Sequence, residues 1–93
     1  MIVGVLKIEL AVREARSLKD KRRIIKSIKE RLANTFNVSA AEVDALDAHQ
    51  RAVLGVAVVA NEARFVASCL DKIVDWIRLQ RSVTLVDYTR DTI

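Results

Sequence analysis

Ala52-Val53-Leu54-Gly55-Val56-Ala57-Val58-Val59-Ala60 is an almost unbroken apolar run rich in β-branched side chains, and it reads as a central strand. That reading decides its neighbour. Ser39-Ala40-Ala41-Glu42-Val43-Asp44-Ala45-Leu46 would make a respectable helix on propensity alone. The loop Asp47-Ala48-His49-Gln50-Arg51, however, has the length that closes an antiparallel pair. Residues 37–46 are therefore expected to be a strand.

Working outward, Ile2 to Val12 alternates with period two. Ile2, Leu6, Ile8, Leu10 and Val12 share one face; Val3, Val5, Lys7, Glu9 and Ala11 share the other. Beyond the central run, Asn61 is expected to cap a second helix from about Glu62 to Leu79. Phe65, Val66, Cys69, Leu70, Ile73, Val74 and Ile77 stand there at helical spacing. Val83 to about Arg90 closes the chain as an edge strand, given its Asp, Tyr, Thr and Arg content. The order βαββαβ is that of the ferredoxin-like α+β fold, an antiparallel sheet with both helices on one face and the first and third strands in the middle. The other face would be open, lined by Val3, Val5, Val53 and Val59. Contiguous exposed valines mark a protein interface, so a homo-oligomer, most simply a two-fold dimer, is expected.

The first helix runs from Ser17 through Leu18-Lys19-Asp20-Lys21-Arg22-Arg23-Ile24-Ile25-Lys26-Ser27-Ile28-Lys29-Glu30-Arg31-Leu32. At about 100° per residue, Leu18, Ile24, Ile25, Ile28, Leu32 and Phe36 form its apolar stripe. Lys19, Arg22, Arg23 and Lys26 lie opposite, with Lys29 at the border. Ser17 is the natural N-cap, Asp20 completes an arrangement like a capping box, and Asn34 or Asn37 is the expected left-handed stop. Between Arg13 and Arg31 nine Lys or Arg stand against three Asp or Glu, a local charge of +6 against +4 for the whole chain. This asymmetry bears on partners. A solvated helix face accounts for such charge without any partner. The functional alternative is that Lys19, Arg22, Arg23, Lys26 and Lys29 bind phosphates, RNA being the expected source.

Ninety-three residues make one domain, 1–93, whose core must come from Val, Ile, Leu and Ala because only 4% of residues are aromatic. The single cysteine, Cys69, excludes an internal disulfide and fits a reducing cytoplasm. Lys7 and Glu9 interrupt the apolar N-terminus, so no signal peptide is expected, and no apolar run approaches the ~20 residues of a membrane span.

Several stretches together resemble the YlxP-like family of small bacterial proteins. They are Ser17-Leu18-Lys19-Asp20-Lys21-Arg22-Arg23, Asn37-Val38-Ser39 followed by Ala41-Glu42-Val43, and Asp47 with Gln50-Arg51-Ala52 leading into Leu54-Gly55-Val56. The resemblance spans nearly the whole chain. It implies a ferredoxin-like fold, a bacterial cytoplasmic protein, and association with the ribosome, since members often sit among genes of translation initiation and ribosome maturation. Two positions depart from the pattern: Asp20 where members commonly have Glu, and His49 where they often have Trp.

The topology is shared with modules that read RNA bases by stacking, yet neither central strand contains an aromatic residue, so RNA contact is expected through helix-borne cations to the backbone. An acylphosphatase-like anion site would use Arg13, Arg16 and the amides near Ser17, but no glycine lies in that loop and Asp20 opposes an anion there. His49 with Asp44 and Asp47 reads as a solvated turn rather than a metal site. Cys69, Phe65 and Trp76 read as packing residues, and Gln50-Arg51 as a loop anchor in preference to a polar contact. The expected protein is a non-enzymatic binding protein without metal or cofactor, associated with RNA or a ribosomal subunit. The alternative is a small homo-oligomeric scaffold working through its sheet face.

Overall fold

A computed structural model describes all residues 1–93. The chain runs β1 (Ile2–Ala11), α1 (Leu18–Thr35), β2 (Ser39–Asp44), β3 (Arg51–Ala60), α2 (Ala63–Arg78) and β4 (Thr84–Thr92). The strands form one four-stranded sheet ordered β2-β3-β1-β4, antiparallel throughout. This is the ferredoxin-like fold, with β1 and β3 central as their apolar content requires. Residues 39–44 are a strand despite their helical propensity, because pairing with β3 satisfies their backbone along the register Ser39↔Ala57 to Asp44↔Val53.

Period-two alternation sorts the side chains. Leu6, Ile8 and Leu10 of β1 and Leu54, Val56 and Val58 of β3 join Ile25, Ile28 and Leu32 of α1 and Val66, Leu70, Ile73 and Ile77 of α2 in one core. Gly4 permits α2 to settle onto β1, since a Cβ there would collide with Val66. The helices are tied at their far ends. Phe36 meets Trp76 edge-to-face at 6.5 Å, and Arg31 lies over the Trp76 ring while donating to Gln80 Oε1 at 2.6 Å.

Three local expectations are corrected. Neither Asn34 nor Asn37 forms a left-handed stop; α1 ends at Phe36, extended at φ −125°, whose N–H donates to Leu32 O. The chain turns straight into β2, so no left-handed residue is needed. Asn61 does not cap α2 either. Glu62 holds that position, extended at φ −138° and without a side-chain cap, because the helix begins one residue later, at Ala63. Phe65 is not a packing residue but 59% exposed, standing one residue step outside the stripe that Val66 opens.

Candidate nucleic-acid interface and the lysine behind it

The outward face of α1 is built from its two ends. Ser17 Oγ accepts from Asp20 N at 3.1 Å, as an N-cap should. Asp20 Oδ2 accepts from Arg16 N, also at 3.1 Å, one residue before the usual capping-box partner. The carboxylate thus puts a negative charge at the helix N-terminus, which opposes the binding of an anion there.

From this start Lys19, Arg22, Arg23 and Lys26 all reach solvent, and Lys29 is half-buried at the border. Arg23 pairs with Asp20 at 3.2 Å and Lys26 with Glu30 at 4.0 Å. Both are exposed pairs within one helix, of the kind that contributes a few tenths of a kcal/mol and yields readily to a competing anion. Lys19, Arg22 and Lys29 stand in no ion pair.

Lys21 behaves differently from every other cation of this segment. It is fully buried, its Nζ donating to Glu42 Oε2 at 2.8 Å, Ala45 O at 2.8 Å, and Leu46 O and Arg51 O at 3.3 Å. One ammonium therefore links α1 to β2, to the β2–β3 turn and to the start of β3. Ala45, at φ +55°, is the single non-glycine residue with positive φ, and its carbonyl is one of the acceptors. The same turn is fastened to the β1–α1 loop by Gln50, whose Nε2 donates to Arg13 O at 3.1 Å and Ala15 O at 3.2 Å. Gln50 is the loop anchor the sequence suggested. Lys21 was the residue missed: it lies four and seven positions before Ile25 and Ile28, within the apolar stripe, and a lone cation there was the available signal.

The open sheet face carries the valines as expected, with one exception. Val3 and Val5 are half-buried and Val59 is 56% exposed, but Val53 is only 2% exposed. Glu9 and Asp44 stand opposite it on the neighbouring strands, and Glu9 accepts from Arg51 Nε at 2.6 Å beside it. That ion pair raises the Arg51 pKa, first through the hydrogen bond and then through the charge of Glu9. No aromatic ring lines this face. Tyr88, opposite Ile8, packs against the core side with Arg78 over its ring.

Cys69 is half-buried against the core, and burial pushes its thiol pKa up while Lys72 draws it down less. His49 and Asp47 are exposed in the β2–β3 turn, and Asp44 Oδ1 accepts from Ala45 N at 2.7 Å. No three His, Cys, Asp or Glu side chains come together in a metal-binding group. No helix is long and apolar enough to cross a membrane.

The family described as "Protein of unknown function (DUF503)" matches residues 3–90. This chain belongs to that family. It is 30% identical over 91 residues to Uncharacterized protein YlxP of Bacillus subtilis (strain 168), an alignment covering 94% of this chain and 99% of that protein. The resemblance carried by the α1 opening and the β2–β3 segment is thereby borne out. The matched span of this chain, residues 3–90, takes in α1, β2 and the β2–β3 turn.

Proposed function

We propose that this chain is a non-enzymatic binding protein of the bacterial cytoplasm that engages RNA, with the ribosomal subunits as the first RNA to test. The working surface is the outward face of α1, with Lys19, Arg22, Arg23, Lys26 and Lys29 on backbone phosphates. The single observation that carries this reading is that Lys19, Arg22, Arg23 and Lys26 face solvent on one side of α1, with Lys29 half-buried at their border. Lys19, Arg22 and Lys29 lack any carboxylate partner, and the partners of Arg23 and Lys26 are weak. A sheet without aromatic side chains on its open face leaves phosphate contact, not base stacking, as the means of binding.

The cage around Lys21 lowers the exposed charge of the segment by one, since Glu42 neutralises that ammonium. It also fixes the helix against the β2–β3 turn, so that the cations are presented on a rigid support. Binding of the purified protein to ribosomal subunits and to a generic structured RNA, beside an Arg22→Glu/Lys26→Glu variant, tests the proposal. Wild-type binding that the double reversal abolishes is the expected result. Equal behaviour of the two proteins toward both RNAs would remove α1 as the functional surface.

A further inference from the structure

We infer that the open sheet face binds a second copy of this chain around a two-fold axis, and that Lys7 of each copy pairs with the partner copy's Asp91. The inference is independent of RNA binding. Its first ground is the layout of the face. At one end Val59, Val3 and Ile93 form a row across β3, β1 and the residue that follows β4, Val3 and Ile93 exchanging backbone hydrogen bonds of 3.1 and 2.7 Å. Val59 is 56% and Ile93 76% exposed. The next row sets Ala57, Val5 and Asp91 side by side, and the next Gly55, Lys7 and Thr89. Small side chains on β2 and β3 leave a groove of about 560 Å³ there, bordered by Val5, Lys7, Ala41, Val43, Ala57 and Asp91.

Charge supplies the second ground. Lys7 is exposed and its ammonium takes part in no ion pair or hydrogen bond, and the exposed Asp91 carboxylate meets only the amide of Thr92, at 2.8 Å. Asp87, exposed on the same face, likewise meets only an amide, that of Tyr88. A two-fold rotation that sets Lys7 over the partner copy's Asp91 makes this patch of one unpaired cation and two unpaired anions complementary to itself. The outer face of α1, carrying an excess of one sign, would repel its own copy. Strand addition at the sheet edges is also opposed, because β2 shifts register between Glu42 and Asp44 and β4 shifts opposite Glu9 and Leu10. The open face is left as the surface for self-association, and joining two sheets there leaves both α1 helices outside.

Sedimentation equilibrium of the full chain tests this, with Val5→Asp, Lys7→Glu, Asp91→Lys and the Lys7→Glu/Asp91→Lys exchange. The wild type is expected to be a dimer and Val5→Asp a monomer. Each single charge variant should weaken dimerisation at least about tenfold, because a two-fold interface loses both copies of the pair. The exchange should restore affinity to near the wild-type value. Lys7 and Asp91 are exposed, so unchanged circular dichroism melts would show that the folds persist. A wild type that stays monomeric overturns the inference. So does a dimer indifferent to all four variants, which would leave the face to a small apolar ligand or another protein; an exchange as weak as the single variants overturns the Lys7–Asp91 pairing.

Discussion

An ammonium group removed from water must recover its hydration from fixed acceptors, and the four oxygens around Lys21 Nζ do this. Removing one partner is costlier than removing both. Lys21→Met leaves Glu42, whose side chain is only 11% exposed, without its cation and strips a donor from three carbonyls. Destabilisation of about 3–5 kcal/mol is expected in urea denaturation, and Lys21→Met/Glu42→Leu should recover a substantial part. A double variant no more stable than Lys21→Met would show that the carbonyls, not Glu42, set the cost. Cys69 gives a residue-scale test in pH. Its folded thiol is raised by burial, so its contribution to stability is complete below the unfolded thiol pKa and is lost as pH rises through the folded one. Alkylation of Cys69 should be slower than that of a free cysteine at neutral pH and should accelerate on the alkaline side. Labelling at the free-thiol rate would contradict the burial.

Among the elements, α1 was legible in outline and its N-cap in detail, because Ser17 and Asp20 act within one turn and depend on nothing distant. Ser17→Ala should cost about 1 kcal/mol by thermal denaturation. What the sequence left open at this scale came from long-range geometry. Asn34, Asn37 and Asn61 have the chemistry of caps, but the helices end elsewhere: Asn34 lies inside α1, whose C-cap is the extended Phe36, and α2 starts at Ala63, one residue too late for Asn61 to be its N-cap. Residues 39–44 show the opposite case, where tertiary pairing overrides helical propensity; β3 was the guide because its own apolar run demanded strands on both sides. Gly4 belongs here too. Gly4→Val should destabilise by about 1–3 kcal/mol through forced separation of β1 from Val66, and a neutral result would mean that α2 rides higher on the sheet.

For the whole molecule, strand order and the division into a helix-covered and an open sheet face followed from period and element order alone. The burial of Val53 did not, because it depends on the Glu9–Arg51 pair that two strands bring together. Nor did the removal of Lys21 from the surface charge, since its partners come from β2, the turn and β3. The result is a molecule with two unlike surfaces: a basic helix face, and an apolar sheet face of mixed charge on the other side. The first is the proposed RNA surface, and its strength must depend on salt through released counterions.

The most direct measurement is therefore the affinity of the wild type for structured RNA as a function of salt concentration, beside Arg22→Glu/Lys26→Glu. Four or five neutralised phosphates predict that log K falls with log salt at a slope of roughly −3 to −4.5, and that the double variant flattens it by about two. A flat wild-type dependence, or a slope the variant leaves unchanged, would contradict the assignment of RNA binding to α1.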